Sequence, residues 1–264
     1  MSKTHFDVIV MGAGPGGSTL ATLLAHNNLN VALIEKEEFP RFKIGESLLP
    51  HSMDVLKESK VYDKINSGKY ITKYGASFVA HNEPEPVHFQ FANGLDNDHA
   101  TAFEVPREEF DADLLEHAKE VGVTVFQPET VKMVDLQAKP VQIKTTNLEL
   151  TCDYIADATG RDALLGTKFR SRTKNEHFIN NVAVFNHYKN AKRNVSKKEG
   201  DIVVGILPDS SWSWHIPFKG DVTSVGVVCS PETYKKHKDS PDMIGDLLKC
   251  HPKLESMMNE AEPL

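Results

Sequence analysis

The feature that most constrains the fold is a run of glycines placed directly after a short apolar segment. Asp7 to Met11 reads as a short buried strand, and Gly17 to His26 reads as a helix. Between them lies a G-x-G-x-x-G pattern, Gly12-Ala13-Gly14-Pro15-Gly16-Gly17. Such glycines allow a tight turn, a close approach of pyrophosphate to the backbone, and close packing of helix on strand. The pattern predicts a Rossmann-type unit that binds a nucleotide at a helix N-terminus through these six residues.

An acid at the end of the next predicted strand supports nucleotide binding. Asn30 to Ile34 reads as a second buried strand, and Glu35 follows it, 23 positions after Gly12. A carboxylate at this place can accept hydrogen bonds from ribose hydroxyls. These residues leave the cofactor open between NAD and FAD, because both place a pyrophosphate on the same helix terminus.

Composition and charge narrow the class of protein. The 264 residues are 40% apolar and 25% charged, as in ordinary globular domains, and the net charge of -7 argues against a nucleic-acid partner. We interpret the lysine-rich stretch from Lys189 to Lys198 as a solvated loop. The cysteines, Cys152, Cys229 and Cys250, are widely spaced, which predicts a reducing cytoplasm without disulfides or a thiolate zinc site. Glycines interrupt the apolar N-terminal region, so neither a signal peptide nor a membrane span is expected.

Two later segments resemble a known family and favour FAD. Val105-Pro106-Arg107-Glu108-Glu109-Phe110-Asp111 resembles the V-x-R-x-x-F-D segment of the p-hydroxybenzoate-hydroxylase-like FAD enzymes, in which the arginine approaches the flavin nucleotide. Read without the family, Arg107 is a surface charge at the start of a helix. Asp157-Ala158-Thr159-Gly160-Arg161 resembles a D-A-T-G segment of the same superfamily, which brings backbone close to FAD. The resemblance implies an FAD cofactor, with Arg107, Asp157 and Gly160 among its ligands.

Strand and helix signals interleave along the chain and predict an α/β fold with two discontinuous domains. Further helices are predicted at 47–59 and at 243–248. Another helix is predicted around residues 110–118, because four apolar residues recur there on one helical face: Phe110, Leu114, Leu115 and Ala118. Further strands are predicted at 76–80, 88–91, 121–126, 131–136, 141–145, 148–150, 154–158, 182–187, 201–207, 213–217 and 223–228. We assign residues 1–75 and 100–170 to a Rossmann-type FAD-binding domain. It is interleaved with an antiparallel β-sheet substrate domain, residues 76–99 and 171–264.

Two further motifs resemble flavin-dependent halogenases that act on phenols or carrier-bound pyrroles. Phe39-Pro40-Arg41-Phe42-Lys43-Ile44-Gly45-Glu46-Ser47-Leu48-Leu49-Pro50 resembles their F-P-R-x-x-x-G-E-S-L-L-P stretch. Trp212-Ser213-Trp214-His215-Ile216-Pro217 matches their W-x-W-x-I-P motif at every fixed position. In related geranylgeranyl reductases the comparable motif resembles Y-x-W-x-F-P. The alternative is that both tryptophans are core aromatics of a strand.

The halogenase resemblance implies roles for individual residues. Lys73, in a K-x-G-A segment similar to that of phenolic halogenases, is the implied catalytic lysine, which holds the oxidant as a haloamine or by hydrogen bonding. The alternative is an exposed loop lysine. The residues implied to separate flavin from substrate are Trp212, Trp214, Ile216 and Pro217. Three more residues are assigned to the cofactor site, Lys36, Arg41 and Ser47.

The resemblance implies an enzyme that uses FADH2, O2 and chloride or bromide to halogenate an electron-rich aromatic ring, free or carrier-bound. Its FADH2 would come from a separate NAD(P)H-dependent flavin reductase. Two alternatives remain: an FAD-dependent monooxygenase or geranylgeranyl-reductase-like reductase of the same fold, and an inactive fragment with part of an FAD site. No metal site is predicted, because no H-E-x-x-H or P-loop pattern occurs.

One segment of the family pattern is missing. The resembling families carry an apolar strand, a G-D pair and a D-P or H-P turn after the substrate sheet. Gly245-Asp246 followed by His251-Pro252 imitates this pattern, but the residues from Met243 to Leu248 read as a helix, so we reject the match. The chain is therefore expected to correspond to a C-terminally truncated family member.

Overall fold

The computed structural model describes residues 4–94, 100–171, 173 and 180–264, and the chain forms two compact units. The first unit comprises Met1–Gly45, Asp54–Ile65 and Arg107–Lys174, and the second comprises Glu46–Met53, Asn66–Pro106 and Asn175–Leu264, each over its described residues. Relative to the predicted domains, residues 46–53, 66–75 and 100–106 lie in the second unit rather than the first. The assignment of these units to an FAD-binding and a substrate domain stays a prediction.

The described residues form the following elements. The strands are β1 Thr4–Met11, β2 Val31–Ile34, β3 Ile71–Lys73, β4 Gly75–Ala80, β5 Val87–Gln90, β6 Ala102–Glu104, β7 Thr124–Phe126, β8 Met133–Asp135, β9 Val141–Lys144, β10 Glu149–Asp157, β11 Val182–Lys189, β12 Ile202–Ile206, β13 Trp212–Pro217, β14 Val222–Cys229 and β15 Glu262–Pro263. The helices are α1 Pro15–His26, α2 Ser52–Glu58, α3 Tyr62–Ile65, α4 Arg107–Glu120, α5 Leu164–Lys168, α6 Pro231–His237, α7 Met243–Leu248 and α8 Pro252–Met258. Short 3-10 turns span Phe91–Asn93, Gly160–Asp162 and Ser196–Lys198.

The first unit is built on a six-stranded sheet in the order β7-β2-β1-β10-β9-β8. Strands β7, β2, β1 and β10 are parallel, and β9 and β8 extend the sheet in antiparallel pairing. Val10 of β1 and Leu33 of β2 pack with Ala21 of α1 and Leu115 of α4 in one buried core. Parallel strands with helices packed against them are typical of a Rossmann-type unit, so the predicted fold of this part is confirmed.

One prediction in this sheet is wrong. Two separate strands are predicted at 148–150 and 154–158, but β10 is a single strand. Asp153 interrupts the apolar pattern, yet Cys152 beside it is fully buried and Asp153 itself is exposed. Because β10 pairs with β1 over almost its whole length, backbone hydrogen bonds to β1 keep the chain extended at this polar position.

The second unit holds a seven-stranded sheet in the order β15-β11-β14-β13-β12-β4-β5. The strands predicted at 182–187, 201–207, 213–217 and 223–228 are confirmed as β11 to β14, and each of them has an antiparallel neighbour. Strands β12 and β4 pair in parallel, so the sheet is not antiparallel throughout. This pairing is possible because the two strands are far apart in the chain and need no tight turn between them.

Helices α7 and α8 cover one face of this seven-stranded sheet. Because side chains alternate between the faces of a strand, Val203 of β12 and Val225 of β14 point to the same side. They pack there with Leu248 of α7 and Leu254 of α8, all of them buried. The helix predicted at 243–248 is therefore confirmed as α7, and the rejection of Gly245-Asp246 as a flavin segment agrees with it.

The sequence does not predict the two-stranded ribbon formed by β3 and β6. Each strand has three residues, which is too short for a hydrophobic period to be visible. The chain before α2 lies along this ribbon: the Leu48 amide donates to the Phe103 carbonyl at 3.0 Å, and the Val105 amide donates to the Glu46 carbonyl at 2.7 Å. The helix predicted at 47–59 is therefore wrong at its start, and α2 begins at Ser52.

Candidate functional site

The glycine turn, residues 12 to 17, connects β1 to α1, and two of its glycines are required by the packing of the protein itself. Gly12 has φ +96°, and a Cβ there would overlap the carbonyl oxygen of Ala158. A Cβ on Gly17 would overlap the carbonyl oxygen of Gly12. These contacts fix the close approach of strand, turn and helix that the sequence pattern predicts.

The other two glycines of the turn have room for a Cβ. The nearest atom to a Cβ on Gly14 is Nη2 of Arg41 at 3.7 Å, and a Cβ on Gly16 would meet nothing within 4 Å. Helix α1 begins here with Pro15, without a side-chain cap and without an acidic residue in its first turn. First-turn amides have no acceptor within their own helix, so they are available to an anion. The turn therefore fits the pyrophosphate of a dinucleotide.

Glu35 lies at the end of β2 and ties the glycine turn to the sheet. Its carboxylate is 5% exposed and accepts hydrogen bonds from the Ala13 amide at 2.7 Å and the Glu37 amide at 2.9 Å. A carboxylate has about four acceptor positions, which leaves room for ribose hydroxyls. The predicted contact of Glu35 with ribose stays a prediction, whereas its structural role in holding Ala13 is one that the sequence did not suggest.

Two arginines enclose one buried carboxylate, and we call Arg41, Arg107 and Asp111 the arginine clamp. Asp111 accepts from Arg41 Nη1 at 2.8 Å, and from Arg107 Nε at 2.7 Å and Nη2 at 3.0 Å. The Asp111 side chain is fully buried, and the two arginine side chains are 10% and 14% exposed. Arg107 begins α4 as predicted, but it is held rather than free on the surface. The clamp sets Arg41 beside Gly14, at the open side of the glycine turn.

The predicted Asp157 segment forms a turn after β10. The Asp157 carboxylate accepts hydrogen bonds from the Thr159 amide at 3.0 Å and the Leu165 amide at 2.7 Å. Although burial disfavours the charged form, these hydrogen bonds keep the pKa of Asp157 below its usual value. Gly160 follows with φ +63° and open space where a Cβ would be. Asp157 therefore shapes this turn, and a direct contact of Asp157 or Gly160 with FAD stays a prediction.

Lys36 reaches the same turn from the end of β2. Its ammonium donates to the Asp162 carboxylate at 2.5 Å, and at least half of each side chain is exposed. The hydrogen bond to Asp162 raises the pKa of Lys36. The structure thus brings Lys36 close to the segment that holds Gly160, and the role of Lys36 in a cofactor site stays a prediction.

In the second unit, Lys73 is buried at the end of β3, so the alternative of an exposed loop lysine is wrong. Its side chain is 2% exposed, and its Nζ donates to Ser47 Oγ at 2.6 Å and to the Leu48 carbonyl at 3.1 Å. The Glu104 carboxylate lies 3.6 Å from Nζ. We call these four residues the lysine cluster. Ser47, assigned to the cofactor from the sequence, is in this structure an acceptor for Lys73.

Burial and mutual charge shift the protonation of the lysine cluster. Burial lowers the pKa of Lys73, and the negative charges of Glu104 and Asp201 oppose this shift. Burial likewise raises the pKa of Glu104 above its usual value, and the Lys73 charge opposes this shift. Glu104 is not among the site residues predicted from the sequence. Its only signal is an acid in an otherwise apolar run, Ala102-Phe103-Glu104-Val105.

The tryptophan motif forms β13, where Trp212, Trp214 and Ile216 share one face of the sheet. Trp214 is buried, and its indole Nε1 donates to Ser224 Oγ at 3.1 Å. Trp212 is 40% exposed, and its ring centroid lies 5.7 Å from that of Trp214. The alternative of a core aromatic therefore holds for Trp214 but not for Trp212, and Ile216 and Pro217 are buried as well. A barrier between flavin and substrate stays a prediction for all four.

No three His, Cys, Asp or Glu side chains in the described part of the chain are placed to hold a metal ion. The three cysteines are unpaired. None of the described helices is both long and apolar enough to cross a membrane.

Comparison with known proteins identifies the family. Residues 5–254 match the sequence profile of the family described as FAD binding domain, and the chain belongs to this family. The FAD cofactor predicted from the sequence agrees with this membership, and the glycine turn fits its pyrophosphate.

Within this family the chain is similar to flavin-dependent halogenases. It is 32% identical to the flavin-dependent halogenase armH3 of Armillaria mellea over 88% of this chain and 48% of armH3. It is 34% identical to the 1H-pyrrole-2-carbonyl-[peptidyl-carrier protein] chlorinase of Pseudomonas fluorescens, over 89% of this chain and 58% of that protein. The solved structure of the myxobacterial chondrochloren halogenase CndH superposes with a TM-score of 0.85 at 31% identity, over 98% of this chain and 61% of CndH. The chain thus spans about half the length of these relatives.

Proposed function

We propose that this chain carries the FAD-binding and lysine-bearing parts of a flavin-dependent halogenase. The observation that carries the proposal is the buried Lys73, whose Nζ is held by Ser47, Leu48 and Glu104. A lysine is costly to bury, so its retention at a position that matches a halogenase motif supports a functional role. Similarity to halogenases over nearly nine-tenths of the chain supports the same reaction class.

The first unit would hold the cofactor. The amides of the glycine turn would bind the pyrophosphate, Glu35 would accept from ribose hydroxyls, and the arginine clamp would keep Arg41 at the open side of the turn. Lys36, Asp157 and Gly160 would complete the nucleotide site. Reduced FAD, when bound, would supply with O2 the oxidising power that converts chloride or bromide to an electrophilic halogen.

The second unit would hold the residue that handles the electrophilic halogen. Lys73 has an ammonium whose N–H groups can donate to hypohalous acid, and its lowered pKa also makes a free amine more accessible for haloamine formation. The exposed edge of the tryptophan motif at Trp212 would keep organic substrate away from the flavin. The substrate class is an electron-rich aromatic ring, phenol or pyrrole, and the pyrrole chlorinase among the relatives supports a carrier-bound form.

The proposal includes partners beyond the chain. FADH2 would come from a separate NAD(P)H-dependent flavin reductase, and the halide is a co-substrate. A reducing cytoplasmic location agrees with the unpaired cysteines in the described residues.

Incubation of the chain with FAD, a flavin reductase, NADH, O2, bromide and a phenol or pyrrole tests this function by mass spectrometry. A product carrying the bromine isotope pair is the expected outcome. Lys73→Met should abolish this product while leaving FAD binding intact, because methionine fills a similar volume without a charge. Lys119→Met, at an exposed lysine of α4, is the matched control and should brominate normally. Hydroxylated product without bromine would instead assign the chain to the flavin monooxygenases.

A further inference from the structure

The carboxylate of Glu104 faces Lys73 from the neighbouring strand of the ribbon. Glu104 pairs with Ile71, and Lys73 pairs with Ala102, so the two charged side chains are diagonal neighbours on one face. The Glu104 side chain is fully buried, with Oε1 at 3.6 Å from Lys73 Nζ. Neither carboxylate oxygen has hydrogen-bond geometry to a donor among the described residues. A buried carboxylate without such donors depends on a nearby positive charge, and Lys73 is the one in contact.

The surroundings of Lys73 match an ammonium group rather than a neutral amine. Lys73 Nζ donates to two acceptors, Ser47 Oγ and the Leu48 carbonyl, so one of the three N–H groups of an ammonium has no acceptor in the cluster. The Glu104 carboxylate, 3.6 Å from Nζ, supplies the opposite charge. The Phe91 ring centroid lies 5.4 Å away, a cation–π distance. Backbone hydrogen bonds hold residues 46 to 48 along β6, the strand that ends in Glu104. The same strand therefore supplies the counter-charge and positions the other acceptors.

One further charge acts on the cluster. Asp201 is buried, and its Oδ1 accepts from the amides of Tyr74, at 2.6 Å, and Gly75, at 2.8 Å, directly after Lys73. Its negative charge favours the charged form of Lys73 and the neutral form of Glu104. His88 lies 3.6 Å from Asp201 Oδ2, and burial lowers the pKa of His88. Glu104 is thus the carboxylate in direct contact with Lys73, and Asp201 is the more distant one.

We infer that Glu104 is a positioning residue for Lys73: its buried carboxylate keeps Lys73 in the ammonium form and holds Nζ between Ser47 and Leu48. The role of Lys73 in halogenation rests on the proposed function, whereas the control of its charge by Glu104 does not. Glu104 lies outside every motif by which the sequence resembles halogenases.

The test is a titration of Lys73 in the chain without flavin, halide or substrate. Lysine is labelled with 13C at Cε, the Lys73 signal is identified by its loss in Lys73→Met, and its pKa is followed by NMR. Glu104→Gln should lower the pKa of Lys73 by about 1 to 3 units, because an opposite charge at this distance stabilises the ammonium by that amount. Glu104→Asp, which keeps the charge on a shorter side chain, should restore part of this shift.

The control is Glu120→Gln, which removes an exposed carboxylate paired with Lys64 and should leave the Lys73 signal unchanged. Near-ultraviolet circular dichroism identifies any variant that does not fold. If Glu104→Gln does not fold, the Lys73 pKa of Glu104→Asp is compared with that of the unmodified chain. An unchanged or raised pKa in folded Glu104→Gln would overturn the inference. If the pKa shifts but no brominated product forms with the unmodified chain, the inference stands and the halogenase proposal fails.

A second readout concerns activity. If bromination requires the ammonium form of Lys73, activity should fall at high pH as Lys73 loses its proton. In Glu104→Gln this fall should occur at a lower pH, displaced by the same number of pH units as the Lys73 pKa measured by NMR, and FAD affinity should not change. A pH profile that keeps its position while product formation falls would indicate a merely structural role and would contradict the inference.

Discussion

Individual residues of the glycine turn serve two different purposes. Gly12 and Gly17 are required by contacts within the protein, since added side chains would overlap backbone oxygens. Gly14 and Gly16 have free space around them, so the absence of a side chain there leaves room for a ligand. A G-x-G-x-x-G pattern read from sequence cannot separate these purposes, but the positions of neighbouring atoms can.

Two substitutions separate folding from cofactor binding at this turn. Gly12→Ala should lower the free energy of unfolding by at least about 2 kcal/mol, because φ +96° is strained for alanine and its Cβ meets Ala158. Gly14 has φ -63°, so Gly14→Ala should cost about 1 kcal/mol or less. It should weaken FAD binding about tenfold or more. Urea unfolding and quenching of flavin fluorescence measure the two effects. Equal FAD affinity in Gly14→Ala and the unmodified chain would contradict the proposed pyrophosphate contact.

Among the secondary-structure elements, the short ribbon of β3 and β6 positions the charged residues of the lysine cluster. It positions Lys73 and Glu104 on one face and holds residues 46 to 48 along its side. The seven-stranded sheet has a different source of stability, because α7 and α8 bury its apolar face. Short helices are marginal alone, so these two depend on that packing.

The contribution of α8 can be tested at one side chain. Leu254 is fully buried between α8 and the sheet, so Leu254→Ala should lower the free energy of unfolding by about 2 to 5 kcal/mol through lost burial and a residual cavity. Leu264, 62% exposed, is the matched control, and Leu264→Ala should change stability by less than about 0.5 kcal/mol. Urea denaturation of both variants measures the difference. Similar values for the two would show that α8 does not stabilise the sheet.

For the chain as a whole, one buried imidazole makes stability depend on pH. His215 of β13 is fully buried, and burial lowers its pKa from 6.5 to about 4. Neither of its ring nitrogens has a hydrogen-bond partner among the described residues. Between these two pKa values the unfolded chain binds a proton that the folded chain does not, so stability falls as pH decreases from about 6.5 to about 4.

Substitution of His215 isolates this effect. The histidine should account for up to about 3 kcal/mol of the stability lost over that range, since one pKa unit corresponds to about 1.4 kcal/mol. His215→Leu should therefore lose less stability between pH 6.5 and pH 4 than the unmodified chain, as measured by urea unfolding at a series of pH values. His81→Leu is the control, because His81 is exposed, with its Nδ1 3.2 Å from the Ile206 carbonyl oxygen, whereas His215 is fully buried. An unchanged acid slope in His215→Leu would refute the prediction.

The Rossmann-type unit, the glycine turn, the acid after the second strand and most strands of the second sheet could be predicted from the sequence. These features depend on neighbours within a few residues, through hydrophobic period, turn chemistry and motif spacing, and such signals are visible in a linear chain. The family motifs also led from nucleotide binding to FAD.

The charged groups that come into contact, and the extent to which each is buried, could not be predicted from the sequence and became known from the folded chain. Lys73 and Ser47 are 26 positions apart, and Arg41 and Asp111 are 70 apart, so no local pattern indicates these contacts. Burial then sets the energetics, because the cost of a charge depends on the segments that surround it. For that reason the sequence could suggest Lys73 as a functional lysine, but Glu104 as its counter-charge became visible only in the folded chain.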